Sequence, residues 1–340
     1  MKDTIDLRAL IETIAAETGF SGDIRRNEPM TAHTTFKVGG PADLWVHPVG
    51  DCFPVFAAAL LRRLRAVGIP LFILGGGANL VAADAGIRGI TLDTSGWTGA
   101  EAARGGPCRL LVRSGTAVDD AVEAAAERGW GGLEFLAGMP GAIGGAVWMN
   151  ARCYERQVSD VLIQTEILDY SPSDGSFHRV WVPSAPGEFS YKHSPFQKWD
   201  AGNRGPLILA AEFGLEKREV SDIRREMAAH RRDREEKGHY RYPSAGSVFK
   251  NSRDFGKPTG QIIDELGLRG YAVGGAQVAP WHGNIIINTG NAHAADIRDL
   301  TEQVAEKVRD ATGFELEPEI IFVGEWVTTV RIGVGNLRRG

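Results

Sequence analysis

The sequence contains little cysteine and no long apolar run. Its 340 residues include three cysteines, Cys52, Cys108 and Cys153, which are far apart and odd in number. They can form neither a disulfide framework nor a CxxC metal pair, which is typical of a protein from a reducing compartment. The first 20 residues mix acids with apolar residues and predict an amphipathic helix rather than a signal peptide. Because no apolar run approaches the roughly 18 residues of a membrane span, we expect a cytoplasmic protein without a membrane partner.

The chain also lacks an excess of positive charge. It carries 38 Lys and Arg against 43 Asp and Glu, a formal net charge of −5 at pH 7. Nucleic acid usually requires a basic binding protein, so no nucleic-acid partner is predicted. The eight histidines are scattered without HxH or HExxH spacing, and no metal site is predicted. The oligomeric state is left open by the sequence, and a monomer is compatible with it.

Glycine, in contrast, is abundant. It supplies 43 of the 340 residues, nearly double the usual share of about 7%. There is no three-residue period, which excludes a collagen-like chain. The composition therefore indicates a chain that repeatedly needs positive φ angles or close approach of its backbone to a ligand.

The length predicts two or three domains. Apolar periodicity predicts a βαβ-like unit first, then a second α+β unit that includes a hairpin. Near residues 214–218 the composition of the sequence changes, and a charged helix is predicted to begin. Its arginines alternate with acids and are expected mainly on a solvated face. The predicted segments are an N-terminal helix (1–30), two subdomains (31–95 and 96–215), a C-terminal domain (216–330) and a tail (331–340).

Two glycine-rich loops are the first candidate site. The first loop follows the apolar strand Leu71–Leu74 directly and consists of Gly75, Gly76, Gly77, Ala78 and Asn79. Successive glycines let backbone N–H groups converge on an anion such as a diphosphate, although a tight structural turn is the alternative. It is neither the GxGxxG fingerprint nor a P-loop.

The second glycine-rich loop covers residues 138–145. Its candidate ligand-binding residues are Gly138, Met139, Pro140, Gly141, Gly144 and Gly145. Steric demand restricts the backbone path of such a loop, which could lie along a planar or phosphorylated ligand. The two loops together favour one extended cofactor held mainly by main chain.

Six segments in this order match a known family. They cover residues 33–42, 74–80, 132–150, 243–251 (PSAGSVFKN), 274–278 and 316–319 (LEPE). On them the chain resembles the UDP-N-acetylenolpyruvoylglucosamine reductase (MurB) family, in its shorter class without an extra loop. That family makes UDP-N-acetylmuramate for peptidoglycan, and hence for cell-wall growth and division.

The resemblance implies an α+β fold. It consists of an FAD-binding fold of the vanillyl-alcohol oxidase/p-cresol methylhydroxylase type in two subdomains, followed by a C-terminal α+β substrate domain. The implied cofactors are non-covalent FAD and NADPH. The implied substrate is UDP-N-acetylglucosamine enolpyruvate, a small molecule, which is reduced by hydride transfer and protonation.

The resemblance also implies three catalytic residues. Ser247 matches the family's proton donor, with Lys250 or a water helping to recover the alkoxide, and Glu319 matches the family's glutamate. Lys192 stands where the family has an arginine that meets the substrate carboxylate; lysine keeps the charge but loses the two-pronged geometry. Arg152 is the alternative source of a guanidinium.

Two other functions stay open at this point. One is an FAD-dependent oxidase of the same fold, which would be reoxidised by oxygen and would need no PSAGSVFKN segment. The other is a non-catalytic flavin-binding paralogue, suggested by Lys192 and by the unusual stretch 150–155.

Overall fold

The computed structural model describes residues 6–197 and 205–326, so the predicted tail at 331–340 lies outside the described residues. The helices are α1 (Leu7–Thr18), α2 (Phe53–Val67), α3 (Val118–Glu127), α4 (Ile143–Trp148), α5 (Val220–Glu236), α6 (Thr259–Glu265) and α7 (Ala294–Thr312). The strands are β1 (Gly22–Pro29), β2 (Pro41–Pro48), β3 (Leu71–Leu74), β4 (Leu80–Ala82), β5 (Ile87–Asp93), β6 (Ala100–Ala102), β7 (Arg109–Arg113), β8 (Trp130–Gly131), β9 (Arg152–Cys153), β10 (Arg156–Gln157), β11 (Leu162–Ser171), β12 (Ser176–Pro183), β13 (Leu207–Gly214), β14 (Glu216–Lys217), β15 (Ala272–Val273), β16 (Ala276–Val278), β17 (Ile286–Asn288) and β18 (Ile321–Val323).

The first unit is a four-stranded sheet in the order β1-β2-β5-β3. β2, β5 and β3 run parallel, as the βαβ pattern predicts, and β1 adds an antiparallel edge. α2 packs its apolar face, including Phe53, Phe56 and Leu60, into the same core as Ile11 and Ile14 of α1. α2 ends at Gly68, which takes the left-handed conformation that favours glycine. Within residues 6–30, which the structure describes, the helix covers Leu7–Thr18 and residues 22–29 form an edge strand.

The second unit is a five-stranded antiparallel sheet in the order β12-β11-β13-β7-β6. α3 and α4 contribute to its core, and so does α5 through Ile223 and Met227. β14 also pairs with β8 of this unit. Because α5 completes this core, we propose that the boundary to the C-terminal unit lies near residue 238 rather than at 216.

The expectation of a mainly solvated charged helix is wrong for one face of α5. Arg234 is 7% exposed, and Arg231 donates hydrogen bonds to Asp119 and Glu123 of α3. These arginines follow Ile223 and Met227 at helical spacing, so they belong to the stripe that packs against the second unit.

The C-terminal unit combines the sheet β15-β16-β17 with α6 and α7. Its core, which includes Ile262, Ile297 and Leu300, also takes in Phe36 and Val81 of the first unit. β18 leaves this unit and pairs in parallel with β4, immediately after the first glycine-rich loop. The chain thus returns at its end to the beginning of the fold.

Asp84 joins the first unit to the C-terminal unit. Its two carboxylate oxygens accept hydrogen bonds of 2.9 Å from the backbone N–H groups of Ala294 and Ala295. These are N–H groups of the first turn of α7, which have no partner within the helix. A residue distant in sequence therefore caps α7 and holds it against the first unit.

Asp84→Ala should lower the free energy of unfolding by about 1–2 kcal/mol, the usual effect of losing a helix cap. Asp84→Asn should lose less, since its amide oxygen still accepts one hydrogen bond. Equilibrium urea unfolding at one fixed FAD concentration measures the change. Asp120→Ala is the control, because Asp120 is an exposed acid of the first turn of α3. Equal losses in the Asp84→Ala and Asp120→Ala variants would contradict the inter-unit cap.

Candidate active site

The two glycine-rich loops touch each other. A Cβ atom added to Gly76 would lie 2.5 Å from Cα of Gly141, and one added to Gly75 would lie 3.8 Å from Cβ of Ala142. Gly77 has a φ of +62°, and a Cβ there would lie 1.8 Å from the carbonyl oxygen of His33. The loops can approach this closely because glycine has no side chain at these positions.

The first loop keeps its backbone donors free. Within the described part of the chain, the N–H groups of residues 75–79 donate no hydrogen bond. This is the arrangement that binds a phosphate or diphosphate through main chain. Its carbonyls, in contrast, are engaged, since the Thr35 N–H donates to Gly77 O and the Ile321 N–H to Asn79 O.

In the second loop, only some of the backbone N–H groups are free. The N–H groups of Gly138, Met139 and Gly144 donate to Asp119, Leu136 and Ser114, respectively. These three N–H groups therefore hold the loop in shape, and the assignment of Gly138, Met139 and Gly144 to cofactor binding stays a prediction. The N–H groups of Gly141 and Gly145 have no acceptor among the residues described. A Cβ added to Gly145 would meet no atom within 4 Å, so this glycine borders open space.

Residues 247–250, here called the serine segment, lie between two other stretches of backbone. On one side, the Val248 N–H donates to Asn284 O at 2.9 Å. On the other side, the Glu319 N–H donates to Val248 O at 2.7 Å. Ser247 and Glu319 therefore lie on neighbouring stretches, and hydrogen bonds on both faces of Val248 hold their register.

Glu319 also contacts the first glycine-rich loop. The side-chain amide of Asn79 donates to Glu319 O at 3.1 Å. Two residues later, the Ile321 N–H donates to Asn79 O at 3.0 Å, where β18 joins β4. A residue predicted to bind a cofactor thus holds the backbone of a residue predicted to be catalytic.

Lys192 is brought to Glu319. Its Nζ lies 2.6 Å from Glu319 Oε1, and each side chain is 12% exposed. Lys192 has a φ of 58°, an uncommon conformation for a side-chain-bearing residue. Its carbonyl accepts a hydrogen bond from Gln197 Nε2 at 3.1 Å. Such conformations persist where the surroundings enforce them, often at functional sites.

The structure separates Glu319 from its neighbour Glu317. The Glu317 side chain is 69% exposed and pairs with Lys250. Glu319 thus pairs with Lys192, whereas Glu317 pairs with Lys250. Lys250, proposed above to help recover the Ser247 alkoxide, is therefore engaged by an exposed carboxylate.

Arg152 lies near Lys192 but has another partner. It pairs with Glu155, whose side chain is 92% exposed. Its guanidinium carbon lies 5.6 Å from the centre of the Tyr191 ring, and Lys192 Nζ lies 5.9 Å from the same centre. The structure thus pairs Lys192, and not Arg152, with Glu319.

From the sequence, the arginines of α5 are expected mainly on a solvated face, yet Arg234 is buried. This guanidinium donates to Ala137 O and to Cys153 Sγ, each at 3.1 Å, and no carboxylate in the described residues pairs with it. It lies beside the second glycine-rich loop, where the Tyr240 hydroxyl also donates to Gly138 O at 2.6 Å. A buried cation without an acid is suited to an anionic or electron-rich ligand. The sequence feature that could have revealed Arg234 is its helical spacing from Ile223 and Met227 along α5.

Asn284 was not singled out from the sequence either, since it directly precedes the apolar run Ile285–Ile287. The structure begins β17 only at Ile286, and Asn284 forms hydrogen bonds with the serine segment.

No helix in residues 6–197 and 205–326 has the length and apolarity to cross a bilayer. In those same residues, no group of three or more His, Cys, Asp or Glu side chains could hold a metal ion.

A comparison with known domains defines the class. A model described as an FAD binding domain matches residues 57–180, which contain both glycine-rich loops. The free N–H groups and the open space beside Gly145 fit the diphosphate of such a cofactor. The protein is an FAD-containing flavoprotein.

A second model, described as the C-terminal domain of UDP-N-acetylenolpyruvoylglucosamine reductase, matches residues 238–323. The reductase of that name from Treponema denticola is 38% identical over 90% of this chain and 95% of its own length. The one from Moorella thermoacetica is 36% identical over 94% of this chain and 99% of its own length. The crystal structure of the MurB from Thermus caldophilus matches with a TM-score of 0.69 and 29% identity, over 89% of this chain and all of that one.

The chain belongs to the UDP-N-acetylenolpyruvoylglucosamine reductase family. The resemblance drawn from the six sequence segments is confirmed, and so are the FAD-binding fold class and FAD as cofactor. The protein is an FAD-containing oxidoreductase.

Gly145→Ala should leave the melting temperature of the apoprotein unchanged and weaken FAD binding. The added methyl group meets open space in the protein, but an overpacking cost of about 1–3 kcal/mol against the cofactor corresponds to a roughly 5- to 150-fold increase in Kd. Titration of apoprotein with FAD, followed by flavin fluorescence, measures it.

Gly76→Ala is the contrasting variant, since its Cβ would clash with Gly141 without any ligand. It should lower the melting temperature of the apoprotein as well. If Gly145→Ala binds FAD as the wild type does, the space beside Gly145 is not part of the cofactor site.

Proposed function

We propose that this chain reduces UDP-N-acetylglucosamine enolpyruvate to UDP-N-acetylmuramate with NADPH as reductant, and that Lys192, Glu319 and Ser247 carry out the chemistry at the substrate. The relatives are named for reduction of this enolpyruvyl sugar. The observation that supports the residue roles best is the Lys192–Glu319 ion pair, held beside the serine segment and tied to the first glycine-rich loop.

Main chain would hold the cofactor. The free N–H groups of residues 75–79, with those of Gly141 and Gly145, would bind the FAD diphosphate. When bound, FAD carries the hydride of NADPH to the enolpyruvyl double bond. Because Asn79 also holds the Glu319 backbone, the cofactor loop and the catalytic residues keep a common geometry.

Lys192 would stabilise the charge that develops on the substrate. Addition of hydride to the terminal carbon of the enolpyruvyl group leaves negative charge on the neighbouring carbon and its carboxylate. A preorganised cation in a water-poor site stabilises such charge strongly. Lys192 Nζ is a point charge at a site that is 12% exposed, and its ion pair with Glu319 sets its position before the substrate arrives.

Ser247 would donate the proton. No hydrogen bond of its side-chain hydroxyl occurs in the part of the chain that the structure describes, so the O–H is free to turn towards a substrate. A serine hydroxyl is a weak acid, but the carbanion-like carbon is a strong base and can accept its proton. A C–H bond forms, the serine O–H bond breaks, and the alkoxide recovers a proton from water.

Glu319 would orient rather than transfer a proton. It holds Lys192 Nζ at 2.6 Å, and its backbone N–H holds Val248 next to Ser247. The same residue therefore fixes the cation and the stretch of chain that carries the proton donor.

Ser247→Ala should separate the two half-reactions. Reduction of the flavin by NADPH should keep its rate, because it needs no proton from Ser247. Reoxidation by the enolpyruvyl substrate should slow by about 10²–10⁴-fold, the usual contribution of a positioned proton donor. Anaerobic stopped-flow absorbance of the flavin measures both steps.

Equal slowing of the two steps would show that Ser247 is structural. If the wild-type flavin is reoxidised by oxygen and not by the UDP-sugar, the protein is an oxidase and the proposed function is wrong.

Glu319→Gln should slow the reoxidation step by about 10- to 100-fold, because Lys192 loses the charge that positions it. Glu317→Gln is the matched control: its exposed pair with Lys250 contributes about 0–1 kcal/mol, so less than about fivefold slowing is expected. Single-turnover rates at saturating substrate measure both. Similar losses in the two variants would contradict a special role for Glu319.

A further inference from the structure

Asn284 makes a two-point contact with the serine segment. Its side chain is buried at 4% exposure. Its Oδ1 accepts a hydrogen bond from the Phe249 N–H at 2.9 Å, and its Nδ2 donates one to Phe249 O at 2.8 Å. Its own carbonyl accepts from the Val248 N–H at 2.9 Å. One residue thus satisfies three backbone groups of Val248 and Phe249, the two residues that follow Ser247.

The serine segment needs such a support. Ser247 follows Gly246, whose φ of +73° reverses the chain before it. The bridge partners on either side are single residues, Ile285 for Ser247 and Pro318 for Phe249, and no continuous strand ladder runs through the segment. Without Asn284, the buried N–H and C=O of Phe249 would both lose their partners, and the backbone would shift to satisfy them.

We propose that Asn284 is a positioning residue for proton donation: its side-chain amide holds the Phe249 peptide group and thereby sets the place of the Ser247 hydroxyl. The inference rests on the role proposed above for Ser247. Asn284 touches neither the substrate nor the cofactor in this scheme. A displacement of about 1 Å at a reacting group can cost a factor of about 10² in rate, which is the size of effect expected.

Asn284→Asp is the most direct test, because the protonated and ionised forms of the new carboxyl differ in one hydrogen bond to Phe249. The protonated carboxyl can accept from the Phe249 N–H and donate to Phe249 O, as the amide does. The ionised carboxylate loses the donor and places a negative charge against that carbonyl. Burial raises the pKa of such a carboxyl, so its ionisation should fall within the pH range of an ordinary assay.

The wild-type surroundings do not titrate in the same way. Asn284 N–H donates to His282 Nδ1 at 3.1 Å, and the pKa of His282 is lowered by burial, then by the charges of Arg269 and Lys237. These surroundings therefore favour the neutral imidazole. The other titratable groups near these contacts are Lys250, which follows Phe249 and pairs with Glu317, and Asp264, which pairs with Arg269 and whose backbone nitrogen lies beside Gly283. The His239 ring lies 6.4 Å from that of His282.

In the FAD-loaded Asn284→Asp enzyme, the reoxidation step should be within about threefold of the wild type at pH 6 and about 10- to 100-fold slower at pH 9. Reduction of the flavin by NADPH should match the wild type at both values. Asn27→Asp makes the same chemical change at an exposed position of β1 and should leave both steps unchanged.

A double-mutant cycle shows whether Asn284 acts through Ser247. At pH 9, adding Asn284→Asp to Ser247→Ala should cost less than about threefold beyond Ser247→Ala alone, because residues that act as a unit are not additive. Each of three outcomes would overturn the inference. They are rate losses that multiply in the double variant, equal slowing of both half-reactions, and an Asn284→Asp enzyme with no pH-dependent loss.

If Asn284→Asp fails to fold at pH 9, Asn284→Ala takes its place at pH 7. It should slow reoxidation selectively, and slowing of both steps or of neither would overturn the inference. Failure of the proposed function is distinguishable: in that case Ser247→Ala itself does not slow reoxidation selectively, whatever the Asn284 variants do.

Discussion

The parallel pairing of β18 with β4 is the contact on which the site depends. β4 begins directly after the first glycine-rich loop, and β18 begins two residues after Glu319. Pairing these two short strands brings the end of the described chain against the cofactor loop. It also lets Asn79 bond to the Glu319 carbonyl. The first and C-terminal units share a hydrophobic core around this junction, with Phe36 and Val81 packed among residues of α6 and α7. The residues proposed to be catalytic are thus positioned by a junction between units.

Two kinds of interaction meet at this junction, backbone hydrogen bonds and one ion pair. Glycine loops whose Cβ atoms would clash with one another present free N–H groups to an anion. Beside them, Lys192 and Glu319 form a pair with little exposure to water. Burying charges is costly unless they are paired, so the pair keeps a cation available at the site without leaving it uncompensated. In the proposed function, Lys192 supplies a point charge, and Glu319 provides the orientation that a guanidinium would bring by its shape.

Much of the fold was predictable, because periodic burial left clear patterns in the sequence. The strands at β2, β3 and β5 and the helix α2 were predicted from apolar spacing, and the hairpin β11–β12 from its turn. β1 was missed because its edge-strand residues are mostly exposed and carry little apolar pattern. The packed face of α5 was missed because its arginines are buried by aliphatic contact and by hydrogen bonds to backbone, sulfur and acids.

The sequence by itself determined the kind of site: glycine loops for an anionic cofactor, and a serine, a lysine and a glutamate in family motifs. Only the tertiary structure decided which residues meet. It paired Lys192 with Glu319 and left Arg152 with Glu155. It showed which glycine N–H groups are already used, and it brought Asn284 to the serine segment. Residue type sets what a side chain can do and is written locally. Partnership depends on strand register and on packing between stretches of chain that are distant in sequence, 35 residues for Asn284 and Phe249. No local pattern records it.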